Sequence, residues 1–145
     1  MGAQMNIFRA VCAVALCSAL SAEAADSVMA VRRTNAENYK DRALAACLSI
    51  AYRGSPAGKD AEVTKSAFLE WTYYDEEQGD RAVERLAEHY LRRDYGNPVE
   101  GYAGAEFALL KCLDLYHGPE LDEQVRRYVP HPDWIGDKPA GRRSK

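Results

Sequence analysis

Apolar side chains recur at helical spacing along most of this chain, and no stretch alternates as a half-buried strand would. Leu44, Cys47, Leu48 and Ala51 stand at i, i+3, i+4 and i+7. They predict a first helix over about Asn35 to Arg53, with Asn35 or Asn38 as its N-cap, stopped by Gly54, Ser55, Pro56 and Gly58. A second helix starts near Lys59 or Asp60 and carries a stripe of Val63, Ala67, Trp71 and Tyr74, until Asp75-Glu76-Glu77-Gln78-Gly79 breaks it. Asp80 then caps a third helix, with Val83, Leu86, Ala87, Tyr90 and Leu91 on one face and Arg81, Glu84, Arg85, Glu88 and Arg92 on the other. After a glycine-rich loop, the fourth helix, about Ala103 to His117, is apolar on nearly every side, which predicts a central position. Pro119 opens a fifth helix and Pro130 closes it, with acidic residues in its first turn and Arg126 and Arg127 in its last. The expected fold is all-α: a small bundle of about five helices around that central apolar one.

The beginning of the chain reads as a targeting segment. Arg9 precedes an apolar run, Ala10 to Leu20, that is too short for a stable bilayer span, and Ala22-Glu23-Ala24 fits a small-x-small cleavage site. Cleavage near Ala24 would divide the 145 residues into a signal peptide (1–24), a helical domain (25–130) and a mobile C-terminal tail (131–145). An uncleaved N-terminal anchor is the alternative. A lipid attachment at Cys17 is disfavoured by Leu16 before it, where a small residue belongs. The segment carries one positive charge (Arg9) and one negative (Glu23), so the net charge of −3 is the same with or without it. A mildly acidic chain without a basic stripe excludes nucleic acid as a natural partner. Beyond the segment no apolar run approaches membrane-spanning length, so no membrane association is expected after cleavage.

Two of the four cysteines, Cys12 and Cys17, leave with the segment. Cys47 and Cys112 remain, both on apolar helical faces. In an oxidising compartment an even pair favours one disulfide, the alternative being two buried free thiols.

Catalytic constellations are missing from the sequence: there is no nucleophile elbow, no zinc-protease helix motif and no glycine-rich phosphate loop. His89, His117 and His131 lack metal-ligand spacing. His117 suits a role at the end of its helix, where a cation complements the last carbonyls. No enzyme activity, cofactor or metal is expected. Among the nine tyrosines, Tyr73 falls off the apolar stripe of its helix and Tyr102 lies in a loop, which marks these two for contact with a partner.

Two stretches resemble a known family. Lys111 to His117 (KCLDLYH) followed by Glu120 to Val129 (ELDEQVRRYV), with a weaker match in Tyr39 to Gly54 (YKDRALAACLSIAYRG), are similar to the fourth class of immunity proteins that neutralise type VI secretion amidase effectors. Gly118-Pro119 departs from the family pattern of serine and lysine, although it still permits a helix start. The resemblance implies a periplasmic, homodimeric helical protein that performs no chemistry. It implies a cognate amidase of papain-like cysteine-peptidase type, cutting peptidoglycan stem peptides, whose cleft is occluded by a protruding loop of the immunity dimer. By its length, its Asn-Pro and its glycines, the loop nominated here is Asn97, Pro98, Val99, Glu100 and Tyr102; Asp75, Glu76 and Glu77 with Tyr73 form a second candidate surface. A periplasmic scaffold or chaperone-like binding domain is the alternative function.

Overall fold

The computed structural model describes residues 26–96 and 99–139. The expected signal peptide, Asn97, Pro98 and residues 140–145 lie outside the described residues. Five α-helices are present among them: α1 (Asn35–Ala51), α2 (Pro56–Ala67), α3 (Glu76–Leu91), α4 (Ala108–His117) and α5 (Pro119–Tyr128). Short 3-10 turns, Met29–Arg32 and Phe68–Trp71, precede α1 and follow α2. A two-stranded antiparallel hairpin, β1 (Trp134–Ile135) with β2 (Lys138–Pro139), ends the described chain. No helix among the described residues is long and apolar enough to cross a membrane.

The all-α bundle and its single disulfide are as the sequence predicts, but the centre is occupied differently. α1 touches each of the other four helices. Along it Tyr39, Ala43, Ala46 and Cys47 are buried, and so are the polar Asn35, Asn38, Arg42 and Ser49. The predicted central helix, α4, starts only at Ala108 and packs on one side alone: Cys112 and Leu115 are fully buried, whereas Leu109 is 49% exposed and Leu110 and Leu113 are exposed as well. Counting apolar residues around α4 misplaced the hub because an outward leucine reads the same as an inward one.

Helix starts are set by capping chemistry at positions that differ from those expected. Thr34, not Asn35 or Asn38, caps α1: its Oγ1 accepts the Glu37 amide (3.3 Å) while Glu37 Oε2 accepts the Thr34 amide (2.8 Å), a reciprocal box. Ser55 caps α2 ahead of Pro56, so the helix begins three residues before Lys59. Its predicted stripe fails, since Val63 is exposed and the helix tightens into a 3-10 turn after Ala67, which rotates Trp71 and Tyr74 out of register. The acidic cluster is no break. Asp75 caps α3 by accepting the Gln78 amide (3.0 Å), and Glu76 and Glu77 occupy the first turn, where the helix dipole favours them. Gly79 lies inside α3 because a Cβ there would come within 2.9 Å of the Tyr74 ring.

Asp80, released from capping, binds the buried Arg42 through two contacts, Nη2–Oδ2 at 2.6 Å and Nε–Oδ1 at 3.1 Å. Arg42 also donates to the Lys65 carbonyl, and Tyr74 donates to Asp80 Oδ1 at 2.6 Å, so one charged cluster ties α1, α2 and α3 together. Burial raises the hydroxyl pKa of both Tyr39 and Tyr74, which keeps these inner tyrosines neutral donors. The disulfide Cys47–Cys112 joins α1 to α4 with both residues fully buried and Cα atoms 5.6 Å apart.

The tail expected to be mobile is docked as far as residue 139. Asn35 Nδ2 donates to the carbonyls of His131 (3.1 Å) and Gly136 (2.8 Å), and the Ala36 amide donates to the Pro132 carbonyl (3.0 Å). Asn35 Oδ1 accepts the Tyr73 amide (2.9 Å). One fully buried side chain therefore pins two segments distant in sequence. Replacing Asn35 by alanine costs about 2 kcal/mol, because buried partners lose their bonds. Hydrogen exchange checks it: the Ala36 amide loses protection while the Cys47 amide keeps the protection of the global fold.

Candidate functional site

The surfaces nominated from sequence lie at opposite ends of α3. At its C-terminal end the chain leaves through Tyr95 and Gly96 and returns at Phe107 to start α4. Both feet of this loop are tied. The Tyr95 hydroxyl donates to Asp114 Oδ2 at 2.7 Å, and Lys111 Nζ donates to the Leu91 carbonyl at 3.2 Å. Arg93 lies over the Tyr90 ring, 3.5 Å from its centroid, and approaches Glu120 at 3.4 Å. Between the feet, Gly101 and Gly104 have φ of +89° and +81°, conformations open to glycine, and the Ala105 amide closes a turn on the Tyr102 carbonyl at 3.2 Å. That turn holds Tyr102 out, 63% exposed, beside exposed Val99 and Glu100.

Glu120, at the start of α5, accepts the Tyr90 hydroxyl at 2.9 Å. Its own backbone amide, then Tyr90 and Arg93, lower its carboxyl pKa below the ordinary range. A depressed folded-state pKa stabilises the protein above the ordinary glutamate range, and that stabilisation is lost as pH falls through the lowered value. Glu120 is partly solvated, so solvent screening holds the effect below about 1 kcal/mol. Acid titration of Glu120→Gln by circular dichroism is expected to show a shallower loss of stability below the ordinary glutamate range than the parent shows.

The second surface lies at the other end of the 16-residue α3, about 24 Å along its axis at 1.5 Å per residue. The structure therefore does not merge the two groups into one patch. Tyr73, 52% exposed, stacks on His131 (6.1 Å between centroids), which stacks in turn on Trp134 (3.9 Å). Asp75, Glu76 and Glu77 are exposed beside it, with Asp75 spent on capping and Glu77 paired to Arg81 at 3.1 Å. The aromatic ladder was not predicted. Its signal is the pair of rings in HPDW, whose stacking partner lies far away in sequence. Also unforeseen is the apolar outer face of α4. Leu109, Leu110 and Leu113, with Ala51, Tyr52 and Phe107, line an open groove of about 550 Å³.

The two cysteines of the described residues are joined in the disulfide, and no group of three or more His, Cys, Asp or Glu stands close enough to hold a metal among the described residues. His117 stands exposed in the last turn of α4, edge-on to Tyr116, while the Gly118 amide meets the Leu115 carbonyl. A cavity of about 770 Å³ lies where α1, α2 and α3 meet and carries charges of both signs, among them Arg53, Lys59, Glu84 and Glu88.

Comparison with known proteins gives the same direction. Residues 37–125 match the profile of the type VI secretion system (T6SS) amidase immunity proteins, Tai4. Among solved structures, one from work on new type VI-secreted toxins and self-resistance proteins in Serratia marcescens is 29% identical, covering 80% of this chain and 93% of its own, with a TM-score of 0.67. Another, from the Tae4/Tai4 effector–immunity system of Salmonella typhimurium, is 26% identical, covering 70% of this chain and 96% of its own, with a TM-score of 0.61. No curated protein matches.

Proposed function

The chain belongs to the type VI secretion system amidase immunity protein family, and from that premise we propose that it protects its producer by seating Val99, Glu100 and Tyr102 in the active-site cleft of a cognate amidase. As a member it is an immunity protein against an amidase effector, an inhibitor and not an enzyme. The observation that carries the occlusion reading is the loop: an exposed tyrosine between glycines of positive φ, tied at both feet to the disulfide-braced body. A loop held in one shape loses little entropy on binding, which improves affinity at fixed contact area.

The place of action in this proposal is the periplasm, and the target a papain-like cysteine peptidase acting on peptidoglycan stem peptides. Arg9, the apolar run to Leu20 and the Ala22-Glu23-Ala24 site support export. A fully buried disulfide suits an oxidising compartment. In the proposed assembly two copies pair through the leucine face of α4. Three exposed leucines on a short helix are costly to leave in water, and a self-complementary apolar patch meets its copy without opposing like charges. Leu109→Arg with Leu113→Arg is expected to halve the mass seen by light scattering while leaving helix content intact. An unchanged mass would move the interface elsewhere.

The experiment for the whole reading directs the cognate amidase to the periplasm, with and without this protein. Growth is rescued only when the immunity protein is exported. Lysis regardless of its presence contradicts the proposal.

A further inference from the structure

We propose that Phe107 is a positioning residue for inhibition, the side chain that aims the loop; this rests on the reading that Val99, Glu100 and Tyr102 meet the amidase. Among the described residues near or within the loop four have positive φ, and three of them are glycines: Gly96, Gly101 and Gly104. The fourth is Phe107, at φ 52° and ψ 34°. Left-handed backbone brings a Cβ too close to the following carbonyl, and a bulky residue adopts it only when its surroundings over-determine it.

Those surroundings are identifiable. Phe107 is half-buried and forms part of the wall of the open groove that Ala51, Tyr52 and Leu110 also line. It is at the same time the N-cap of α4, with its carbonyl accepting the Lys111 amide at 3.0 Å, and no side chain caps that helix start. The usual devices for this junction are a hydroxyl or carboxylate cap, or a glycine at the left-handed position. Neither is used. A glycine here would allow the same turn and many others. Phenylalanine couples the turn to the groove: while the ring stays seated the backbone stays left-handed, and if the ring leaves, the backbone has no reason to remain so.

The geometry turns this into aim. Phe107 stands one residue, Glu106, beyond the Tyr102–Ala105 turn, so rotation about its backbone swings Tyr102 as a lever whose fulcrum is the start of α4. The opposite foot is already held by Tyr95 on Asp114. Lys111 on the Leu91 carbonyl holds the start of α4 in place, and Phe107 sets the direction in which the chain leaves it, without touching the amidase.

Inhibition of the purified cognate amidase by the full exported chain tests this. Phe107→Gly keeps the turn accessible and removes the ring; its inhibition constant is expected to rise at least about tenfold. Its helix content and thermal midpoint stay near those of the parent. Phe107→Tyr, which keeps the ring, inhibits like the parent. Phe107→Leu, which fills the groove less well, falls between them and carries the test if the glycine variant does not fold. A merely structural role would lower the midpoint and leave inhibition well below it untouched. The inference is overturned if Phe107→Gly inhibits within about twofold of the parent, if Phe107→Tyr is as weak as Phe107→Gly, or, where the glycine variant does not fold, if Phe107→Leu inhibits like the parent. Failure of the loop reading looks different: Glu100→Arg with Tyr102→Ala then leaves full inhibition, whereas a loop variant that abolishes it beside an unaffected Phe107→Gly sinks this inference alone.

Discussion

Replacing both Cys47 and Cys112 by alanine is expected to remove about 4 kcal/mol of stability, from the chain-entropy cost of a loop closed over 65 residues of sequence separation. A domain of this size has roughly 5–15 kcal/mol in total, so the loss decides whether it stays folded. The location makes the effect larger than loop closure alone suggests. α4 is a ten-residue helix with no side-chain N-cap, too short to be stable on its own. It presents Cys112 and Leu115 inward while its other leucines face out. Without the covalent tie to α1, α4 is held by the packing of Leu115 and by the bonds of Lys111, Asp114 and Tyr116 alone, and its detachment would free one foot of the loop. Urea titration of the double variant against the parent measures the loss. Both sulfurs are shielded, so in the parent a reductant acts only on molecules that have opened, and reduction should follow the unfolding rate. A double variant within about 1 kcal/mol of the parent would mean that native packing alone holds α4.

The second large effect concerns binding. Glu100→Arg with Tyr102→Ala is expected to weaken the complex with the amidase about 100-fold, close to 3 kcal/mol, while the thermal midpoint stays put. Tyr102 is the most exposed large hydrophobic residue of the described chain, and its ring supports nothing in the bundle. A tyrosine held out in this way offers apolar area and a hydrogen-bonding tip with only two torsions to freeze. Calorimetry of the purified pair measures it. Equal affinities for variant and parent would move the contact to the Tyr73–His131–Trp134 end of α3, where Tyr73→Ala becomes the informative change.

Much of the fold was legible because the physical signals were local. Pro119 and the charges around it mark α5 unambiguously, and the cysteine pair announced its bridge through parity and context. The errors share one cause: the same residue type serves opposite purposes. Asp75 and Asp80 are both plausible caps for α3. Only the burial of Arg42, invisible in a linear reading, claims Asp80 and leaves the cap to Asp75. Asn35 and Asn38 look like helix starters, yet Thr34 forms the box and both asparagines turn inward to bind backbone carbonyls. A central helix lined by Asn35, Asn38, Arg42 and Ser49 does not look central by hydrophobicity, and so α4 took its place in the sequence reading.

The candidate site was legible to a lesser degree. Glycines and an isolated tyrosine pointed to the loop, and the structure places Tyr102, Val99 and Glu100 on the surface as that reading needs. The acidic turn, nominated as a second surface, lies apart from the loop, with the length of α3 between them. Phe107 gave no sign at all: nothing in a sequence distinguishes a phenylalanine in left-handed backbone from one inside a helix.

The claim that this protein works by filling another enzyme's cleft is tested most directly by titrating it into a reaction in which the purified cognate amidase cleaves peptidoglycan stem peptides. Cleavage is expected to fall linearly to zero at one binding site per enzyme, and to persist when the loop carries Glu100→Arg with Tyr102→Ala. A stable complex that still cleaves at the uninhibited rate would show that the protein binds away from the catalytic groove, and would contradict the account.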